Sequence, residues 1–258
     1  MSERISIEAV PNMPHIVAGD DIGEIIVDRS QEADIELKEH DILCIASKAV
    51  SSAEDRIINL NEVKVSHLAY DLHEKIPRKD PRIIQKIIDE TEDPSGSRLD
   101  IDTNYIAGWL PNGMRLTSSG VDKLDKEHVI LLPEDPDASA RKIGEKIFNL
   151  LGIRVGVIVT DSDGRVDKAG STQVAIGLYG VPALRRSESI DEITSKSKVA
   201  EETLSDLLAA SAALIMGQRG IGKPVVTIRG VDYQFDENSR IINALSRVPE
   251  GYAQKHHG

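Results

Sequence analysis

The run Ile153-Arg154-Val155-Gly156-Val157-Ile158-Val159-Thr160 is β-branched almost throughout and gives way at once to Asp161-Ser162-Asp163-Gly164-Arg165. A strand that is apolar on both faces has to be covered on both, so this run calls for a sheet with helices packed over it and restricts the chain to an α/β or α+β architecture. Candidate helices are plentiful. Ile83, Ile84, Ile87 and Ile88 form one stripe behind Asp80-Pro81; Ile143, Ile147, Leu150 and Leu151 form another behind a cap at Asp137 and before a stop at Gly152. Asp20-Asp21 offers an N-cap for a helix from Ile22, and an alanine-rich helix is predicted over about residues 199–216, stopped by Gly217. Further strands are predicted at residues 5–10, 41–46 and 224–229, and the loop at residues 92–97 is expected to be a mobile segment.

The chain has 258 residues, 40% of them hydrophobic, which suits a single unit over 1–258 with room for two sub-domains. With two Phe and one Trp, its core has to be built from Ile, Leu, Val and Ala. The scarcity of aromatics withholds stacking platforms, and a formal net charge of −12 opposes a phosphate backbone, so nucleic acid is not an expected partner. An acidic protein that handles phosphates or carboxylates needs bound cations or local Lys and Arg. Cys44, the single cysteine, lies inside Ile42-Leu43-Cys44-Ile45; no intrachain disulfide can form, and it reads as a buried structural thiol rather than a nucleophile. No secretory segment opens the chain and no apolar run approaches the ~20 residues that cross a bilayer, so the expected location is the cytoplasm, off the membrane.

Carboxylates where a buried strand meets a loop are a usual way to hold Mg²⁺ or Mn²⁺ with oxygen ligands, and Asp161 and Asp163 fit that description. Spacing alone leaves a second reading open, a capped turn in which Gly164 supplies a positive φ. Residues 217–223 match G-x-x-x-x-G-K, but Pro224 stands where a phosphate-binding loop has Ser or Thr, and the segment leaves a helix to enter a strand, the reverse of that motif's context. Its amides can still approach phosphates. His15, His40, His67, His73, His128, His256 and His257 have no metal-ligand spacing, and Ser47 and Ser118-Ser119-Gly120 lack a nucleophile elbow, so loop or capping roles are expected of them. Residues 255–258 are expected to fray.

Four segments together resemble one family, the coenzyme F-420-0:L-glutamate ligases or γ-glutamyl ligases. They are Ser47-Lys48-Ala49-Val50-Ser51-Ser52-Ala53-Glu54-Asp55-Arg56; Ser119-Gly120-Val121-Asp122 with the later run Leu131-Leu132-Pro133-Glu134-Asp135-Pro136-Asp137-Ala138-Ser139-Ala140-Arg141; Val159 to Arg165 with Val174-Ala175-Ile176-Gly177; and Asp206 to Gln218, ending in Arg229-Gly230. The second run is the most specific, since nothing in helix capping requires that string. The resemblance covers nearly the whole chain and implies an α+β fold of mixed sheets with packed helices, the γ-glutamyl ligase fold, assembled as an intertwined homodimer. It implies a GTP-dependent ligase that joins L-glutamate to the coenzyme F-420-0 carboxylate through an acyl phosphate, with Mg²⁺ or Mn²⁺, two ions in all, and often K⁺.

By the same resemblance Asp122, Asp161, Ser162 and Gln218 are the metal ligands. GTP falls to Pro11, Asn12, Met13 and Pro14, to Ser47, Lys48, Ser52 and Asp125, and to Met216, Gly217, Gln218, Arg219, Gly220, Ile221, Gly222 and Lys223; Arg165 or Arg185-Arg186 is offered to the substrate carboxylates. The chain departs from the family pattern at Ser52, where the family has Lys, at Asp55, where it has Gly, at Asp125, where it has Asn, and over residues 168–173. These departures leave two alternatives beside the leading reading: the same scaffold ligating a different acceptor, or a non-catalytic paralogue that binds nucleotide or deazaflavin.

Overall fold

A computed structural model describes residues 4–165, 167–190, 197–218 and 222–246. In chain order its elements are β1 (Ser6–Ala9), α1 (Ile22–Glu32), β2 (Ile42–Ala46), α2 (Ser47–Ala53), β3 (Ile57–Asn59), α3 (His67–Lys75), α4 (Pro81–Glu90), β4 (Leu99–Asp102), β5 (Tyr105–Trp109), β6 (Arg115–Thr117), β7 (Asp122–Lys123), β8 (His128–Ile130), α5 (Pro136–Leu151), β9 (Gly156–Gly164), β10 (Ser171–Tyr179), β11 (Arg185–Ile190), β12 (Ser197–Glu202), α6 (Leu204–Met216) and β13 (Val225–Arg229). The architecture is α+β, as expected, with several sheets.

The main sheet runs β1-β13-β2-β9-β10, with β2 and β9 parallel and the other neighbours antiparallel. Ile42, Leu43, Cys44 and Ile45 on β2 and Val157, Ile158 and Val159 on β9 are fully buried, because α5 with α1 behind it covers one face and α6 the other. Cys44 Sγ rests 3.8 Å from the Leu208 carbonyl of α6, and burial pushes its thiol far above the ordinary range, which bears out the structural reading. Along β9, Thr160 reaches Met216 of α6 while Val157 lies against Gly144 of α5. Side chains alternate along a strand, so Asp161 points away from α6.

A second core belongs to the segment inserted between α2 and α5. Leu60, Leu72, Ile76, Ile84, Ile87, Ile106 and Val129 are buried there among α3, α4 and two three-stranded sheets, β3-β8-β7 and β4-β5-β6. The insertion enters and leaves at one place, where the Leu131 amide donates to the Arg56 carbonyl at 3.0 Å. It is clasped to the main sheet by Thr117, whose amide donates to Asp163 Oδ1 and whose hydroxyl donates to the Gly164 carbonyl, each at 2.9 Å.

Four expectations are corrected. Asp161-Ser162-Asp163-Gly164 is no turn: β9 continues through it, paired with β10, and Gly164 has no positive φ. Residues 199–202 are strand rather than helix, because β11 and β12 pair as a ribbon in which Arg185 meets Glu202 and Arg186 meets Glu201, and α6 starts after Thr203. The cap of α5 is Asp135, which accepts from the Ala138 amide; Asp137 reaches out to the Leu178 and Ile241 amides. The loop at residues 92–97 is pinned, with Asp93 accepting from the Ser95 and Arg98 amides and the Ser95 and Ser97 hydroxyls. Among the described residues no helix is long and apolar enough to cross a membrane. Residues 255–258 lie outside the described residues.

Candidate active site at the seam between the two cores

The strand register brings the site together. Val10 donates to the Val225 carbonyl and Ala46 to the Pro224 carbonyl, at 3.0 and 2.8 Å, so the turn Pro11-Asn12-Met13-Pro14, the start of α2 and the Lys223-Pro224 entry to β13 lie at one end of the main sheet. Ala46 stands opposite Thr160 across the parallel pair, and the next residues leave the sheet together. Ser47 Oγ donates to Asp161 Oδ1 at 2.7 Å. On the other side of the sheet Met216 lies against Thr160, and Gln218 Oε1 accepts from Ser171 Oγ at 3.0 Å, with Ser171 opposite Gly164 at the far end of β9.

The insertion supplies the facing wall. Ser118 (φ 56°), Ser119 (φ 50°) and Gly120 (φ 72°) follow one another in the left-handed region, a conformation that costs an L-residue on the order of 1 kcal/mol. The Ser119 hydroxyl donates to the Ile87 carbonyl at 3.0 Å, and a Cβ on Gly108 would sit 2.2 Å from that hydroxyl oxygen, which fixes the turn. The turn sends Val121 into the insertion core and Asp122 across to the start of α2. Asp122 pairs with Lys48 of α2 at 2.8 Å, and Lys79, from the link between α3 and α4, donates to Ser118 Oγ at 2.9 Å.

Burial, and then the like charge of Asp122, push the Asp161 carboxyl up to about 7, while the Ser47 hydroxyl, the Ser162 amide and Lys48 pull the other way. Burial and the neighbouring Arg78 charge hold the Lys79 ammonium below the usual lysine range, and Asp122 opposes them. Two carboxylates that repel each other, with the Ser47 hydroxyl beside one of them, form the beginning of an all-oxygen donor set. Its chemistry fits a hard divalent cation such as Mg²⁺ or Mn²⁺. Among the described residues no three of His, Cys, Asp and Glu gather as a metal cluster, so a cation between Asp122 and Asp161 would need further ligands to complete its shell, and Gln218, expected among them, is turned to Ser171 on the other side of the sheet.

Other expected site residues lie as follows. Ser52 is half-buried in the last turn of α2, and Asp55 takes the left-handed conformation (φ 56°) that glycine adopts freely and Asp tolerates better than most residues. Asp125 closes the hairpin between β7 and β8, accepting from the Glu127 and His128 amides at 2.7 and 2.8 Å. Asp163 is committed to the Thr117 clasp through Oδ1. Gly217 ends α6 with a positive φ, Gly222 is also left-handed and Lys223 is exposed; Arg219, Gly220 and Ile221 lie outside the described residues. Arg165 is exposed, whereas Arg185 and Arg186 are tied to Glu202 and Glu201. Sequence reasoning missed Lys79 and assigned Ser118 a bare loop role. The one available signal was that Lys79 immediately precedes the Asp80-Pro81 helix start, where the backbone is held.

The family model described as F420-0:Gamma-glutamyl ligase matches residues 11–230, which include every site element above. The chain belongs to that family. Among curated F420-0:gamma-glutamyl ligase relatives, the coenzyme F420:L-glutamate ligase of Methanopyrus kandleri is 38% identical over 251 residues, covering 95% of each chain. Those of Methanosarcina mazei (34% over 236 residues, 90% of this chain and 89% of the relative) and Archaeoglobus fulgidus (32% over 257 residues, 95% and 99%) align at similar length. Membership in the F420-0:gamma-glutamyl ligase family makes this chain an enzyme of the ligase class.

Proposed function

We propose that this protein is a cytoplasmic ligase that uses GTP to join the amine of L-glutamate to the carboxylate of coenzyme F-420-0. The observation that carries the reading is the pair of carboxylates from two different cores, Asp161 on the sheet and Asp122 on the insertion, flanked by Lys48 and Ser47 at the end of the sheet where the glycine-rich segment enters β13. An acid and an amine do not condense in water at useful rates. The acceptor carboxylate oxygen therefore attacks the γ-phosphorus of GTP, releasing GDP and leaving an acyl phosphate; the glutamate amine then attacks the acyl carbon and inorganic phosphate departs. Lys48 and the amides of the segment before β13 hold phosphoryl oxygens, and Ser47 fixes the Asp161 carboxylate. Asp122, Asp161, Ser162 and Gln218 would hold Mg²⁺ or Mn²⁺, which neutralises charge on the transferring phosphoryl group when bound.

The homodimer belongs to the same proposal. Leu214 (83% exposed) and Leu207 leave the outer face of α6 apolar, and the ribbon exposes Ile190 (73%) and Val199 (59%), surface that a second copy would cover. The test of function is phosphate release from GTP with Mn²⁺, L-glutamate and coenzyme F-420-0, with mass spectrometry of the acceptor. A glutamyl mass increment is expected, falling at least 100-fold in Asp122→Ala and in Asp161→Ala. GTP bound with no increment would sink the reading.

A further inference from the structure

Lys79 is a lysine placed with unusual constraint for a residue with no ion pair among the described residues. Its amide donates to the Ile76 carbonyl at 3.1 Å, its own carbonyl contacts His73 Nδ1 at 2.7 Å, and the next residue, Asp80, caps α4. Side-chain freedom is spent as well, since the ammonium is withdrawn from solvent onto one neutral oxygen, Ser118 Oγ, and no carboxylate lies within ion-pair distance among the described residues. A partly buried ammonium satisfied by a single hydroxyl keeps two N–H donors and a full charge to offer. Ser118 is held in the left-handed region, four residues before the carboxylate of Asp122, so the same strained turn aims both groups at the seam. The nearby carboxylate, Asp122, acts on Lys79 only at a distance, and its ion pair is with Lys48 at 2.8 Å.

The walls of the seam indicate what Lys79 meets. The turn at Pro11 to Pro14, Ser47, Lys48 and the segment before β13 all come from the main sheet, whereas Lys79 comes from the insertion opposite. We propose that Lys79 is an oxyanion contact of the active site, donating from the insertion wall to the oxygens of the ligand group that lies between the two cores. That group carries either a carboxylate, that of the acceptor, or a terminal phosphoryl, that of the nucleotide. The proposal rests on the ligase reading above. Its role is hydrogen bonding and charge complementarity, and it forms no covalent bond to substrate.

Calorimetric affinities of wild type, Lys79→Met, Lys79→Arg and Ser118→Ala for GTP, GDP and coenzyme F-420-0, each with Mg²⁺, test it, since Met keeps the aliphatic stem and Arg keeps the charge. The expected result is a loss of tenfold or more in Lys79→Met, partly restored in Lys79→Arg and smaller in Ser118→Ala. A loss confined to coenzyme F-420-0 assigns the carboxylate, and a loss for GTP but not GDP assigns the terminal phosphoryl. Affinities of Lys79→Met within twofold of wild type for all three ligands overturn the contact, as does an equal loss for GTP and GDP with a lowered melting temperature, which makes Lys79 merely structural. Should wild type bind none of the three, the ligase reading falls first; Lys79 is then read on magnesium pyrophosphate, where equal binding by wild type and Lys79→Met overturns the oxyanion contact too.

Discussion

Burial lifts the Asp137 carboxyl to about 6, against the pull of the Leu178 and Ile241 amides that donate to it. A carboxyl raised in the folded state gives a stability contribution that is complete below its ordinary value of 3.8 and lost as pH rises through about 6. Asp137→Asn keeps an acceptor oxygen and removes the charge. Denaturant titration should therefore find the variant close to wild type at pH 4 and more stable by about 1–3 kcal/mol at pH 8; parallel pH profiles for the two proteins would refute this. Residues with such double lives were the hardest to read. Asp137 sits in a string that looks like a helix cap, yet Asp135 performs the capping, because the choice between two acids two residues apart is made by which amides the fold brings within reach. Lys79 carries no spacing signal at all, since its partner Ser118 is 39 residues away and turns toward it only through a left-handed backbone.

At the scale of elements, β10 and α5 meet backbone to backbone. A Cβ on Gly177 would lie 2.3 Å from the carbonyl carbon and oxygen of Pro136, backbone atoms that cannot rotate away. Gly177→Ala should cost about 3 kcal/mol by chemical denaturation, as overpacking does when no side chain can yield; a cost below about 0.5 kcal/mol would show that the bulge between Ala175 and Gly177 absorbs the methyl. The elements that sequence did announce are those with a one-dimensional signature: the aliphatic runs of β2 and β9, the isoleucine stripe of α4 behind Asp80, and the glycine stop of α5 at φ 72°. The short strands of the insertion and the β11–β12 ribbon escaped, because two to six residues are too few for a period and their partners are remote or masked by helix-compatible residues such as Ala200, Glu201 and Glu202. Asp161 was legible as a strand-end acid, whereas its contact with Ser47 follows from a parallel register that no local pattern encodes.

At the scale of the whole molecule, α6 is apolar on both sides: Leu208, Ala209 and Ala212 face the sheet, and Leu207 and Leu214 face outward. If a second copy covers that outer face, Leu214→Glu should convert the protein from dimer to monomer in light scattering while leaving the melting temperature of the monomer unit nearly unchanged. An unaltered mass would place the interface elsewhere. The net charge of −12 is compatible with such an assembly because the exposed surface of α6 between Leu207 and Met216 carries no ionised group. The join at Arg56 and Leu131 has a practical meaning for protein engineering. A segment whose two ends meet at Arg56, whose carbonyl accepts from Leu131 and whose side chain donates to the Leu132 carbonyl, can be exchanged as a cassette, so a chimaera carrying the equivalent piece of a relative, with the Thr117 clasp kept, would swap Asp122 and its whole wall in one step and leave Asp161, Ser47 and the five-stranded sheet as the constant host.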